Sequence, residues 1–128
     1  MNFEHTFRCW LNESLAQNVP DSVKAFSFNL LEPAMVDGSK FGVEIVGTGE
    51  FDEDDPDWAC DEIWEPVPRG ICIPVEFSSE EWDLCIQKLK VLLLGQLEVN
   101  SPSMDILKSK NGIGLGFIDG DLEIVWKP

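Results

Sequence analysis

Histidine is almost absent from these 128 residues, with His5 the only one. Chemistry that needs a base beside a nucleophile is therefore confined to His5 and Cys9, four residues apart and on one side of a helical segment. That pair lies near the start of a surface helix, away from its apolar side, where nothing supplies a pocket or an oxyanion hole, so the reading is chance proximity. A nucleophile elbow and a phosphate loop are missing too. Gly112-Ile113-Gly114-Leu115-Gly116 has no following helix to place an N-terminus under a phosphate. Cys9, Cys60, Cys72 and Cys85 are separated by 50, 11 and 12 residues, without a Cys-x-x-Cys knuckle or a His-x-His partner, which argues against zinc. No window approaches the ~18 apolar residues of a membrane span. The segment from Met1 to Arg8 lacks the basic and apolar regions of an export signal, so the expected location is the cytoplasm and the expected thiols are reduced.

Positive charge is also scarce: nine lysines and arginines face 24 acidic residues, giving a net charge of -15 and a pI near 4.1. Phosphate backbones and anionic membranes would be repelled, so neither nucleic acid nor a membrane is an expected partner, and a basic protein is. The imbalance is local. Thirteen acids lie between Glu50 and Asp83 with Arg69 as the sole cation, a net charge of about -12. Its densest part runs Glu50-Phe51-Asp52-Glu53-Asp54-Asp55-Pro56-Asp57-Trp58-Ala59-Cys60-Asp61-Glu62-Ile63-Trp64-Glu65. A purely solvating tail has no use for indoles, so acid interleaved with Trp58 and Trp64 predicts a surface to be bound. The alternative for both tryptophans is that they anchor the loop to the core. Of the two, Trp58 is the expected buried centre of a contact, with Asp57 and Asp61 pairing a partner's Arg or Lys, and Phe51 is expected in the core.

An EF-hand starting at Asp52 would need a ligand at Pro56, glycine at Asp57 and glutamate at Ile63, and it fails at all three, so no cofactor or metal is expected. Adjacent carboxylates in a loop share nearly one environment, whereas paired-carboxylate catalysis requires two different ones.

Periodicity predicts an α+β fold, with one domain over residues 1 to 128 and no linker or repeat. Phe3, Phe7, Trp10, Leu11 and Leu15 mark a helix over 3 to 17. A second helix over 80 to 97 follows a Ser78-Ser79 cap, with Trp82, Ile86, Leu89, Leu93 and Leu97 on its buried face and Leu84 and Val91 opposite. Residues 25 to 32 and 40 to 47 alternate as antiparallel strands around Asp37-Gly38, and 71 to 77 form an edge strand weakened by Pro74. A hairpin joins 112 to 118 with 122 to 126 through Asp119-Gly120-Asp121. Gly112, Gly114 and Gly116 leave one strand face bare, which requires a bulky neighbour or a bend. The expected sheet is mainly antiparallel, of four or five strands, with both helices on one face.

The segment from Phe51 to Glu62 and the Asp-Gly hairpin resemble small acidic bacterial proteins found among immunity proteins of polymorphic-toxin and contact-dependent inhibition systems. The two segments cover about a quarter of the chain. The resemblance implies a cytosolic inhibitor that binds a cognate toxin domain tightly, without chemistry of its own, and it carries over no catalytic residue. The physical reading runs parallel: a nuclease-type toxin presents a basic cleft that acidic side chains can fill as a phosphate mimic. The contact residues expected on these grounds are Asp52, Glu53, Asp54, Asp55, Asp57, Trp58, Asp61, Glu62, Trp64 and Glu65. Two other classes stay open. One is a small metal-dependent or acid/base enzyme using the Asp52 to Glu62 cluster, and the other is a structural or adaptor subunit, dimeric through the Leu84 and Val91 side of the second helix.

Overall fold

The computed structural model describes residues 2–32, 38–118 and 120–128. Helix α1 (Phe3–Leu15) opens with Asn2, whose side chain accepts from the His5 amide, and its apolar stripe buries Phe3, Phe7, Trp10, Leu11 and Leu15. Strands β1 (Ala25–Leu31) and β2 (Ser39–Thr48) pair antiparallel from Ala25 opposite Thr48 to Leu31 opposite Gly42. A 3-10 turn, Pro56–Cys60, and strand β3 (Glu62–Trp64) follow, then strand β4 (Gly70–Pro74), helix α2 (Val75–Ser78), helix α3 (Trp82–Leu97) and helix α4 (Pro102–Leu107). Strands β5 (Ile113–Phe117) and β6 (Glu123–Trp126) close the chain as the expected hairpin. Asp37 and Asp119, on which two of the expected turns rest, lie outside the described residues.

The fold is α+β, and the expectation of a mainly antiparallel sheet of four or five strands is corrected. Six strands form a mixed sheet in the order β3-β2-β1-β5-β6, with β4 beside β3 on the same edge of β2. Strand β1 pairs with β5 in parallel, Phe28 opposite Leu115. The cause is topological. Strand β4 is antiparallel to β2, so it runs with β1 and β5, and α3 must carry the chain across the two strands between β4 and β5.

Alternation along the strands assigns the faces. Phe26, Phe28, Leu30, Phe41, Val43, Ile45, Ile113 and Leu115 form one cluster with the apolar sides of α1, α3 and α4. Ser27, Asn29, Glu44, Val46 and the bare positions Gly114 and Gly116 are therefore on the opposite face.

Two details of the second helix are corrected. Ser78 and Ser79 end the short helix α2, where Ser79 takes a φ of 62° and Phe77 packs on Phe3 with ring centroids 4.8 Å apart. Helix α3 then starts at Trp82 with Glu81 at its cap and no side-chain capping bond. Its burial begins at Cys85, so Trp82, expected on the buried face, is 63% exposed. Leu84 and Val91 are exposed as well. No helix among the described residues is long and apolar enough to cross a membrane.

All four cysteines are free, but they are not alike: Cys9 and Cys60 are exposed, Cys72 is intermediate and Cys85 is buried. Cys9 is thus a surface thiol, with the His5 ring nitrogen 3.5 Å from its sulfur. Burial pushes the Cys85 thiol up from 9.0 to about 12. In a native-state titration with a chromogenic thiol reagent at pH 8, Cys9 and Cys60 should label first and Cys85 only on unfolding. Because the unfolded thiol ionises near 9.0 and the folded one near 12, this group's stabilisation is complete below pH 9 and declines as pH rises through that window. Rapid labelling of Cys85 in folded protein would contradict the packing of α3.

Candidate interaction surface

The acidic segment lies over the sheet face opposite α1, α3 and α4, and three glycines explain why it can. Phe51 covers Gly112, where an added Cβ would run into its ring. A Cβ on Gly114 would meet Trp58 Cζ2 and Leu122 Cδ1, each at 3.0 Å, and one on Gly116 would overlap the Asp121 carbonyl. The bare strand face is thus a seat for bulky neighbours, the first of the two outcomes the glycine spacing allows. Phe51 and Trp58 meet edge to face with centroids 5.1 Å apart.

Trp58 is only 2% exposed. This corrects the expectation that it anchors a partner, since its ring is spent holding the acidic segment on β5. The Trp64 ring packs edge-on against Phe26, 6.0 Å between centroids, and is half-buried. Beside Trp64, Ile63 is exposed.

Local hydrogen bonds fix the backbone between these pins. The Asp52 carboxylate accepts from the Asp54 amide at 2.9 Å, and the Asp55 carboxylate accepts from the Asp57 amide at 3.0 Å, capping the 3-10 turn. Lys127 donates to Glu53 at 2.9 Å. Asp54, Asp57, Asp61 and Glu50 are exposed and have no side-chain ion-pair partner among the described residues.

Arg69, the one cation in the acidic third of the chain, organises the other end of the surface. Its Nε donates to Glu44 Oε2 at 2.5 Å and its Nη2 to Glu44 Oε1 at 3.1 Å, a two-pronged grip. Nη2 also lies 2.7 Å from Glu62 Oε1, and Nη1 donates to Glu65 Oε2 at 2.7 Å. Asn29 Nδ2 donates to Glu44 Oε1 at 3.2 Å, and Ser27 Oγ donates to Asn29 Oδ1 at 2.8 Å. The Glu44 hydrogen bonds hold the Arg69 guanidinium above its ordinary range, against the opposing effect of burial and with Glu65 and Glu62 adding to the rise. Three carboxylates on one guanidinium leave the cluster anionic.

The loop that delivers Arg69 is tied to α1 from below. Trp10 Nε1 donates to the Pro68 carbonyl at 3.2 Å, Gln17 Nε2 donates to the Val67 carbonyl at 2.8 Å, and the Val67 amide donates to Gln17 Oε1 at 2.9 Å. Glu44 and Arg69 were absent from the sequence-derived contact set. The signal was available: a glutamate inside an apolar alternating strand and a lone arginine among acids imply each other.

Between the acidic segment and the β5-β6 turn lies a cavity of about 600 Å³, floored by Asn29, Glu44 and Gly116 and walled by Asp57, Glu62 and Arg69. On the far side of that turn is a groove of about 700 Å³ that shares Phe117, Ile118, Asp121 and Leu122 with it. Among the described residues no three His, Cys, Asp or Glu side chains are grouped to hold a metal ion. The structure therefore leaves the carboxylates from Asp52 to Glu65 at the surface, adds Glu44 and Arg69 beside them, removes Trp58 into the interior and turns the Trp64 ring toward the helix-side core. No protein-family model, characterised protein or solved structure matches the chain.

Proposed function

We propose that this chain is a cytoplasmic binding protein of immunity type, which neutralises a basic toxin domain through the acidic surface from Asp52 to Glu65 and has no turnover of its own. The supporting observation is preorganisation. Phe51 and Trp58 seat the segment on the glycine face, and Asp52 and Asp55 cap their own turns, so Asp54, Asp57 and Asp61 stand in solvent on a backbone already ordered. A partner then meets fixed charges and does not have to order a mobile tail, which would cost part of the binding energy. Nuclease-type domains are the favoured partners, because a basic cleft evolved for phosphates matches a spaced row of carboxylates.

The test is capture in the native host with the wild-type chain and with an Asp54/Asp57/Asp61→Asn variant as baits. The wild type should retain a basic protein domain and relieve the growth arrest that this domain causes when expressed alone, and the variant should do both poorly. Equal capture and equal protection by the variant would remove the acidic surface from the mechanism. Hydrolytic turnover that copurifies with the chain and disappears on Asp57→Asn would replace the binding reading with an enzymatic one.

A further inference from the structure

The sequence placed a tryptophan anchor at Trp58, but the exposed indole of the molecule is Trp82. It is 63% exposed at the first residue of α3, and it meets Phe117 edge to face with centroids 6.3 Å apart. Its neighbours in the chain, Glu80, Glu81 and Asp83, are exposed acids. Below the ring runs the 700 Å³ groove, with an apolar floor that includes Leu30, Ile86, Phe117 and Leu122 and with Glu32, Asp121 and Glu123 among its lining residues. Ile118, also in the groove, is exposed.

An apolar floor inside an acidic rim selects a side chain with an apolar stem and a cationic head. A purely aliphatic occupant would leave Asp121 unanswered, and an acidic one would be repelled. We propose that this groove receives an arginine or lysine side chain of a basic partner, its stem against Phe117 and Leu122 under the Trp82 indole and its head toward Asp121. The proposal rests on the binding reading above and assigns that partner a second contact, continuous with the acidic surface across the β5-β6 turn. Glu32 and Glu123 already face Lys40 and Lys90. Those pairs are solvent-exposed and weak, so an incoming cation can exchange with them. Asp121 has no ion-pair partner among the described residues.

The probe is an acetylated, amidated peptide alternating arginine and glycine, with a citrulline peptide as the uncharged control of the same shape. Binding is read in a two-dimensional 15N spectrum, in which the five tryptophans give five indole signals and Trp82→Phe identifies the one that matters. The arginine peptide should move the Trp82 indole and the amides of Phe117 and Ile118, and the citrulline peptide should not. Trp82→Ala, at an exposed site, should weaken this binding by about tenfold with the spectrum otherwise preserved, and Asp121→Asn should weaken it less. Shifts confined to Asp52 through Glu65 would overturn the groove and leave the binding reading standing. An absence of shifts in both regions at low salt would overturn both. Equal effects of the two peptides would show that charge is not recognised, and a dimer lost in Trp82→Ala would assign the groove to a second copy of this chain, either of which overturns the proposal.

Discussion

Trp58→Ala should cost about 3–5 kcal/mol of folding stability, the range for removing a large aromatic side chain from a closed interior. The indole is 2% exposed, shares an edge-to-face contact with Phe51 and fills the notch over Gly114. Its loss leaves a void that Leu122 alone cannot close, because Gly114 contributes no side chain. A midpoint drop of roughly 10 °C or more is expected for a domain of this length. The acidic segment should loosen first, since Trp58 and Phe51 are its two pins. If instead Trp58→Ala melts with the wild type and only a partner is lost, the ring is a surface contact and the description of this face is wrong.

Arg69→Met should also destabilise the fold, through a charge and not a void. Glu44 is 8% exposed at its side chain, and without Arg69 the partner left on it is the Asn29 amide. Breaking a fully buried ion pair from one side costs about 3–5 kcal/mol, and because the Arg69 side chain is itself 36% exposed, about 2–3 kcal/mol is expected here. The diagnostic is the pair of variants taken together. Adding Glu44→Gln to Arg69→Met removes the stranded charge and should restore a large part of the loss, so the two changes should be far from additive. Additive losses in chemical denaturation would mean that Glu44 and Arg69 do not stabilise one another. In that double variant Glu62 and Glu65 would still lack the cation that positions them.

Much of the fold was legible where a period ran long enough. Helix α1, the β1-β2 pair and the β5-β6 hairpin follow from spacing alone. The parallel pairing of β1 with β5 could not be read, because it joins residues some 87 positions apart, Phe26 with Ile113, and no local pattern encodes it. Strand β3 and helices α2 and α4, of three, four and six residues, are too short to show a period. The candidate surface was half legible. Charge located the segment, and the three glycines predicted a bulky neighbour or a bend, but nothing in the sequence chose between these or said that the bulky groups were Phe51 and Trp58. Periodicity also put Trp82 in line with Leu89 and Leu93, yet burial starts only at Cys85. The two tryptophans thus exchange their expected roles, one entering the interior and the other standing in solvent.

The proposed recruitment of a basic partner by a preordered row of carboxylates should show in the association rate constant with the captured domain across a salt series. Steering by fixed charge fades as the Debye length contracts from ~10 Å at 0.1 M to ~3 Å at 1 M. The wild-type rate should fall by about tenfold or more over that range. Asp54/Asp57/Asp61→Asn should associate more slowly at low salt and depend less on salt, with a dissociation rate close to that of the wild type. A wild-type association rate that is flat in salt and equal to that of the variant would contradict the claim, leaving the acidic segment as a solvated cover for the glycine face of the sheet.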